Sequence, residues 1–384
     1  MRAAQRIRDI QPPPITEVKS WLNGRTFPAD KPLIDLCQAV PNYPPPEGLI
    51  NHIKSALDDP STYKYSQDEG LTEVRNDVCD WYRRYYQSGL TPAEICLTIG
   101  ASQAFWLAMT TLCQSGDEVI VQLPAYFDHP MGLRSLGVQP VFAPFNPETS
   151  GQPDPGIIEQ LITPKTKAIL LVTPSNPTGA VISPEQIEVF FDLAHAHRIA
   201  LVLDETYNSF IGSPPHHLFA HKNWPENFIH IASFGKTFAL TGFRCGALIA
   251  GEAFIEQTLK IQDSMVVCQP RPTQLALAFG CRQLDEWVAE NAMTMKRRHD
   301  RFKEEFLAGH TGFELTASGS FFAWIKHPWS DLTGRQAAKR LVDEAHLICL
   351  PGETFGPGLE PYLRLSFGNI DDDQIPAAVQ RFCV

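Results

Sequence analysis

The chain has 384 residues, of which 43% are hydrophobic and 20% charged, a composition typical of a globular protein long enough for two domains. Its formal net charge of −11 argues against nucleic acid or an anionic membrane surface as a partner, because phosphate contacts need clustered lysine and arginine. No apolar run approaches about 18 residues and no signal-peptide pattern is visible, so we expect a cytoplasmic protein.

The nine cysteines are scattered, odd in number and without a C-x-x-C pair. Most lie in apolar stretches, where cysteine behaves as a small hydrophobic residue. They are therefore expected to be buried free thiols in a reducing compartment, and we predict neither a disulfide framework nor a metal site.

The N-terminal segment predicts an extended arm. Proline triplets flank a short helical candidate near residues 16–23, and proline donates neither to a helix nor to a sheet. Apolar residues at helical spacing then predict helices at 49–57 and 71–87. The polar, aromatic loop between those helices contains Tyr65.

From about residue 95, short β-rich runs alternate with helical patterns. Strands are predicted at 95–99, 118–122, 138–142, 168–172, 199–203, 228–232 and 246–250. Helices, including 102–113 and 184–197, lie between several of them. This alternation predicts an α/β fold with a mostly parallel seven-stranded sheet between helices, whose ligands bind at the carboxyl ends of the strands.

The last third of the chain predicts a smaller α+β domain. A long helical region reaches from about 272 to 307, after which strands at 320–325, 348–350 and 362–367 alternate with helices near 333–345 and 372–382. We therefore divide the chain into an arm with part of the small domain (1–48), a large cofactor-binding domain (49–272) and a small domain that opens with a connecting helix (273–384).

Lys236 lies in a small-residue turn between two apolar predicted strands. Burial penalises a charged amine, and a neutral amine can attack a carbonyl to form an imine. Ser233 and Arg244 flank the lysine with a hydroxyl and a cation that suit a phosphate. Most lysines are solvated surface charges, however, and this stretch alone does not decide between the two interpretations.

Polar and aromatic residues follow other predicted strands. The segment 100–102 ends a strand and opens a helix, which favours an anion, although Ser102 is equally an ordinary N-cap. Tyr126 suits either stacking on a flat ligand or core packing. Turn chemistry alone explains the loop that carries Asn176.

Two charged residues lie in apolar predicted strands. Asp204 ends an apolar strand, and burying it unpaired would cost several kcal/mol, so a cation such as a protonated pyridine nitrogen is needed unless the residue is a helix N-cap. Arg364 offers a planar fork for a carboxylate, with a surface arginine as the alternative. Taken together, these groups match the features of pyridoxal phosphate bound with an amino acid.

The motifs, in this order, resemble those of the class I/II aminotransferases, pyridoxal-phosphate-dependent enzymes of fold type I that include aspartate, aromatic and kynurenine aminotransferases. The resemblance covers about residues 30–380. Ser-Phe-Gly-Lys236 through Gly242-Phe-Arg244-Cys-Gly246 is similar to the family's S-x-S-K…G-x-R-x-G pattern. It implies that Lys236 forms the aldimine with pyridoxal 5'-phosphate.

The resemblance also implies how the phosphate is held. Ser233, Arg244, the backbone of Ala101 and the hydroxyl of Ser102 would bind it within one chain. Tyr65 resembles a tyrosine that reaches the phosphate of a neighbouring subunit, which implies a homodimer with shared sites.

Ring contacts follow from the same motif matches. Tyr126 would stack on the ring, and Asp204, supported by His129, would pair with the ring nitrogen. Asn176 and Tyr207 would bond the ring hydroxyl.

The substrate side is implied less completely. Arg364 would bind the α-carboxylate beside Asn176 and Ala39, the last at a position where many members have glycine. No arginine lies at 264–267, where dicarboxylate-specific members have one, and Ser102 replaces a lysine of another aspartate-using subgroup. The resemblance therefore does not imply strict dicarboxylate specificity, and Arg271, near the relevant loop, has no implied role.

We therefore expect an enzyme that moves an amino group from an L-amino acid to a 2-oxo acid by a ping-pong mechanism. A pyridoxal-dependent C–S β-lyase, or another enzyme on the same fold, would carry similar residues around the cofactor. A non-catalytic pyridoxal-binding regulator is disfavoured, because the short proline-rich N-terminal segment leaves no room for a DNA-binding domain.

Overall fold

The computed structural model describes residues 1–211 and 216–383. Its strands are β1 (Ile34–Asp35), β2 (Ile95–Ile99), β3 (Glu118–Gln122), β4 (Gln139–Ala143), β5 (Thr166–Val172), β6 (Ala200–Asp204), β7 (Phe228–Ala232), β8 (Cys245–Ile249), β9 (Glu314–Gly319), β10 (Phe322–Lys326), β11 (Leu347–Ile348), β12 (Leu350–Pro351) and β13 (Tyr362–Ser366).

The α-helices are α1 (Gln5–Arg8), α2 (Pro14–Ser20), α3 (Glu47–Ala56), α4 (Thr72–Tyr86), α5 (Gly100–Leu112), α6 (Asp128–Leu136), α7 (Pro155–Gln160), α8 (Pro184–His197), α9 (Trp224–Asn227), α10 (Phe234–Thr237), α11 (Glu252–Val266), α12 (Arg271–Gln283), α13 (Asp285–Ala308), α14 (Gly334–Arg340) and α15 (Gln374–Gln380). Within the described residues, none of these helices is long and apolar enough to cross a membrane.

The central sheet has seven strands in the order β2-β8-β7-β6-β5-β3-β4. Its neighbours pair in parallel except for β8, which runs antiparallel to both β2 and β7. Alternate residues of β5 enter different cores: Ile169 packs in a cluster with α4, α8 and α12, and Leu170 in one with α5 and α6. A parallel sheet buried on both faces requires such continuous apolar strands. The prediction of a mostly parallel seven-stranded sheet between helices is confirmed.

A four-stranded antiparallel sheet, in the order β12-β13-β10-β9, forms the smaller part. It shares a third apolar cluster with α13, α14 and α15, in which the rings of Phe302 and Phe367 stack 4.5 Å apart. Strand β1 pairs in parallel with β11, so a segment from the N-terminal part of the chain completes this region. The predicted smaller α+β unit is confirmed.

Several element bounds differ from the sequence predictions. The region expected as one long helical stretch consists of α12 and α13, separated at Leu284, and α12 packs on α3 and α4 of the large part. The predicted strand at 348–350 is two short strands, β11 and β12, that belong to different sheets. Strand β9 and helices α6, α7 and α11 were not predicted. The domain boundaries stay a prediction.

The N-terminal arm lies against both parts. The Arg6 Nε donates to the carbonyl of Ser135 at 3.0 Å, and the Gln11 amide donates to the carbonyl of Thr354 at 3.2 Å. Between these anchors, Ile10 lines a cavity of about 530 Å³, and Ile15 lines it as well. The predicted arm therefore forms one wall of that cavity.

Candidate active site

A cavity of about 530 Å³ opens at the carboxyl ends of the central strands. It brings together the site residues predicted from the sequence, Tyr65 excepted: Ala39, Ala101, Ser102, Tyr126, His129, Asn176, Asp204, Tyr207, Ser233, Lys236, Arg244 and Arg364. Parallel strands β5, β6 and β7 end side by side, so the residues that follow them meet at one edge. Arg364 reaches the same cavity from β13.

Lys236 lies in the short helix α10, directly after β7. Its amine donates to the carbonyl oxygen of Ala39 at 2.5 Å and lies 5.8 Å from the ring centroid of Tyr207. Burial, with the cations of Arg244 and Arg364 as further causes, lowers the pKa of Lys236 from 10.5 to about 7. Much of this amine is therefore neutral, and hence nucleophilic, at neutral pH.

Asp204 is the last residue of β6 and is buried. One carboxylate oxygen lies 3.1 Å from the Nε2 of His129, and the other accepts the backbone N–H of Thr206 at 2.9 Å. The His129 ring packs 4.5 Å from the ring of Phe105, which fixes its position. A carboxylate held in this way at the cavity wall suits a cationic ring nitrogen.

The start of α5 lies against β8 in an arrangement that suits an anion. Gly100 has a φ of +76°, and a Cβ there would lie 2.6 Å from the Nη2 of Arg244. A Cβ at Gly246 would lie 2.7 Å from the backbone nitrogen of Ala101. The two glycines thus permit a close approach that puts a guanidinium beside free N–H groups at a helix N-terminus, with Ser102 also in the lining.

Arg364 is only 1% exposed. Its Nη2 donates to the carbonyl of Cys37 and its Nη1 to the Oδ1 of Asn176 at 3.4 Å, while Nε has no hydrogen-bond partner among the described residues. The guanidinium carbon lies 5.6 Å from the ring centroid of Phe322. A buried cation that contacts only neutral groups leaves a place for an anionic ligand.

Two tyrosines also line the cavity. The hydroxyl of Tyr126 donates to Asp128 at 2.6 Å, and its ring stands perpendicular to that of His129. Tyr207 packs edge-on against Phe322 at 5.0 Å. Burial raises the pKa of both phenols above their usual range, so both remain protonated donors at neutral pH.

Tyr65 is the one predicted site residue that lies outside the cavity; it is 78% exposed. Other residues of the site were not predicted: the carbonyl of Cys37, the N–H of Thr206 and the carboxylate of Asp128. The first two act through the backbone, which carries no residue-type signal. Asp128 could have been found, because it follows Tyr126 by two residues at the start of α6.

These groups fit pyridoxal 5'-phosphate with an amino acid. The amine of Lys236 suits an aldehyde, the carboxylate of Asp204 a ring nitrogen, and the helix start with Arg244 a phosphate. Arg364 lines the same cavity, and its guanidinium bonds only neutral groups, so it suits a carboxylate. Fold and site together define a pyridoxal-phosphate-dependent enzyme of fold type I.

Comparison with known proteins narrows this class. Residues 31–382 match the family described as aminotransferase class I and II. The chain is 28% identical to an aspartate aminotransferase of Pyrococcus horikoshii, over 90% of this chain and 88% of that protein. It is 27% identical to aromatic-amino-acid aminotransferase 2 of Thermococcus litoralis, over 87% of each chain.

A solved structure shows the same architecture. Aspartate aminotransferase from Thermus thermophilus with maleate superimposes with a TM-score of 0.91 and 26% identity, covering 100% of this chain and 99% of the other. The chain belongs to the class I and II aminotransferases, which are pyridoxal-phosphate-dependent enzymes acting on amino acids and 2-oxo acids.

Proposed function

We propose that this chain transfers the amino group of an L-amino acid to a 2-oxo acid by a ping-pong mechanism, with Lys236 as the catalytic residue. The observation that carries the proposal is the position of its amine. A nitrogen with a pKa of about 7 faces a cavity that also receives Asp204 and Arg364. Such an amine can both bind a carbonyl and carry a proton near neutral pH.

The phosphate and the ring nitrogen of the cofactor are held by different residues in this proposal. The backbone of Ala101, the hydroxyls of Ser102 and Ser233 and the guanidinium of Arg244 bind its phosphate. Asp204, steadied by His129, keeps the ring nitrogen protonated. When bound, pyridoxal phosphate supplies an electron sink for the bonds around the substrate's α-carbon.

The cofactor ring is oriented in this proposal by a stacking contact on its face and by hydrogen bonds at its edge. Tyr126 stacks on it, with its own hydroxyl fixed by Asp128 at 2.6 Å. Asn176 and Tyr207 donate to the ring hydroxyl, which both can do because burial keeps the Tyr207 phenol protonated.

The substrate is oriented by its α-carboxylate. The guanidinium of Arg364, which lines the cavity, binds it in this proposal, and Asn176 Oδ1 lies 3.4 Å from Nη1 of the same group. Ala39, whose carbonyl accepts a hydrogen bond from the amine of Lys236 at 2.5 Å, also contacts the substrate in this proposal. Lys236 is then free to remove the proton from the substrate's α-carbon and to deliver it to the cofactor carbon.

The active form in this proposal is a homodimer in which Tyr65 of each chain reaches the phosphate in the other site. Support comes from the exposed apolar side chains of Tyr63, Tyr65 and Phe243, which lie in segments that contact the same helix, α12. Helix α12 ties these segments together, because Thr273 donates to the carbonyl of Phe243 at 2.9 Å and Gln274 donates to Ser66 at 2.9 Å. Single exposed apolar residues are common on monomers, whereas a contiguous apolar patch indicates a binding partner.

We further propose that the amino donor is not restricted to dicarboxylates. The cations that line the cavity within the described residues are Lys236, Arg244 and Arg364, and each already has a role. Apolar side chains, among them Ile15 and Trp106, form other parts of the lining. A panel of amino donors, scored in single turnovers by the loss of the bound cofactor's absorbance, tests this: a response to aspartate and glutamate alone would overturn it.

Substitution of the lysine tests the reaction itself. Lys236→Ala should remove turnover with every donor and change the visible absorbance of the bound cofactor, since both depend on the amine. Retained activity, or an unchanged spectrum, would contradict the assignment. Release of ammonia and pyruvate without any 2-oxo acid acceptor would instead favour β-elimination.

A further inference from the structure

A second polar cluster lies directly behind the site. Glu205, which follows Asp204 in the chain, is completely buried, as are His216 and His230. One carboxylate oxygen of Glu205 accepts the hydroxyl of Tyr86 at 2.8 Å and lies 3.0 Å from His230 Nδ1 and 3.2 Å from His216 Nε2. The two histidine contacts lack the alignment of full hydrogen bonds. None of these side chains lines the cavity of the proposed site.

The cluster joins several elements. Tyr82 and Tyr86 are on α4, and His230 is on β7, where its Nε2 lies 2.7 Å from the hydroxyl of Tyr82. The side chain of Asn208 donates to the hydroxyl of Tyr86. The turn at residues 204–208 is therefore attached to a helix and to the next strand by side-chain contacts.

The same turn carries two proposed cofactor contacts on its other face. Asp204 and His129 lie on the side of the sheet where Phe105 packs, whereas Tyr82 and Tyr86 belong to the apolar cluster on the opposite side. Backbone bonds continue through the turn: the N–H of Glu205 donates to the carbonyl of Ile231, and the N–H of Asn208 to the carbonyl of Glu205, each at 3.0 Å.

Three potential metal-ligand atoms of Glu205, His216 and His230 lie within 4.8 Å of one another. The protonation pattern argues against a metal, however. The Nδ1 of His216 accepts the backbone N–H of Leu218 at 3.1 Å, so the neutral ring carries its proton on Nε2, the nitrogen that faces Glu205. A ligand nitrogen must be unprotonated, and usually its partner nitrogen is the donor.

We propose that Glu205 is a positioning residue for the transamination: its carboxylate fixes the turn at 204–208 from behind, so that Asp204 and Tyr207 meet the cofactor ring in the correct place. This inference rests on the proposed roles of those two residues. Loss of the contacts that orient metal ligands costs about 10–100-fold in affinity or activity, and we expect an effect of the same order here. The effect should fall on cofactor binding and on kcat, because the substrate carboxylate is bound elsewhere, by Arg364.

The experiment compares Glu205→Gln and Tyr86→Phe with Asn227→Ala. Asn227 is a buried polar residue of the same sheet region whose side chain bonds only to the carbonyl of Phe191, at 3.5 Å, among the described residues. For each variant, the thermal unfolding of the apoenzyme, the affinity of the apoenzyme for pyridoxal phosphate, and kcat and KM are measured.

Glu205→Gln should weaken cofactor affinity about tenfold or more and lower kcat with little change in KM. Tyr86→Phe removes one hydrogen-bond donor to Glu205 and keeps the ring, so it should lower cofactor affinity and kcat by a smaller factor. This variant replaces Glu205→Gln in the test if Glu205→Gln does not fold. Asn227→Ala should lower only the thermal stability. If the first two variants lose stability while cofactor affinity and kcat are unchanged, Glu205 has no positioning role.

Two further measurements separate the possible failures. Asp204→Ala should itself weaken cofactor affinity strongly, and if it does not, the proposed site is wrong. If Asp204→Ala weakens cofactor affinity and Glu205→Gln does not, only the role of Glu205 is refuted. Metal analysis of the purified holoenzyme should find no stoichiometric metal. A tightly held metal that is lost in Glu205→Gln would overturn the inference, since the carboxylate would then be a ligand.

Discussion

At the scale of one residue, the burial of Lys236 determines how reactive its amine is. Burial and two nearby arginines lower its pKa to about 7, so its neutral, reactive fraction should rise with pH and be half-maximal near pH 7 in the apoenzyme. Competitive acetylation of the apoenzyme, read peptide by peptide by mass spectrometry with exposed Lys64 as internal reference, measures this. Arg244→Gln should move the midpoint of Lys236 upward, because it removes a neighbouring positive charge. A midpoint near that of Lys64 would contradict the assignment.

Arg364 makes a separate prediction at this scale. Arg364→Gln removes a buried cation that the proposal assigns to the substrate carboxylate, and loss of one partner of such a pair costs about 2 kcal/mol or more, roughly thirtyfold in kcat/KM. Cofactor affinity should change little. Arg381→Gln is the control, since Arg381 bonds the carbonyl of Ala345 away from the cavity. Equal effects of both substitutions on kcat/KM would indicate general destabilisation.

At the scale of secondary-structure elements, the backbones of α5 and β8 meet at the proposed phosphate site. A Cβ at Gly246 of β8 would lie 2.5 Å from the carbonyl carbon of Gly100, at the start of α5. Gly246→Ala should therefore destabilise the fold by about 1–3 kcal/mol and weaken cofactor binding, because α5 must move away from the phosphate. Urea unfolding of the apoenzyme and cofactor titration measure the two effects. Gly242→Ala, in the short turn before β8 and with nothing within 4 Å of its Cβ, should be neutral in both.

The sequence predicted elements well where one physical signal dominated. Strands β2, β3 and β7 have the predicted bounds, because polar or turn-forming residues close to both ends delimit each short β-rich run. Helix α6 was missed, since Pro130 and Gly132 interrupt its pattern. The break between α12 and α13 at Leu284 was missed because the residues around it continue a helical spacing.

The site was predictable in part for similar reasons. Asp204 and Lys236 stand out because a charge in an apolar run demands a partner. The residues that support Asp204 from behind could not be recognised in the sequence. Glu205 contacts His216 and His230, which are distant from it in the sequence and come together only in the folded structure. Likewise the carbonyls of Ala39 and Cys37 contribute as backbone atoms, which residue type does not reveal.

At the scale of the whole molecule, the arm and the proposed second subunit would close the site. The arm contributes Ile10 and Ile15 to the cavity, whereas Tyr65, 78% exposed, has its proposed function only in a dimer. Arg271, whose role the sequence left open, donates to the carbonyl of Ser61 and so supports the loop that carries Tyr65.

Shared sites make a specific prediction. Tyr65→Ala should lower cofactor affinity and activity, whereas Tyr63→Ala, equally exposed on the same loop, should not. When inactive Lys236→Ala chains are mixed with Tyr65→Ala chains and allowed to exchange subunits, each heterodimer has one site with both defects and one with neither. Random exchange should then restore activity to about a quarter of the wild-type value, since half of the dimers carry one intact site.

The control for this mixing experiment pairs Lys236→Ala with Arg364→Gln. Both residues line the cavity of one chain, so each site of that heterodimer keeps one defect and no activity should return. An affinity tag on one variant, with recovery of the untagged variant on the same resin, establishes that exchange took place. Recovery in the Tyr65 mixture and not in the Arg364 mixture requires that Tyr65 acts across the interface, whereas recovery in neither, with exchange demonstrated, means that each chain builds its site alone.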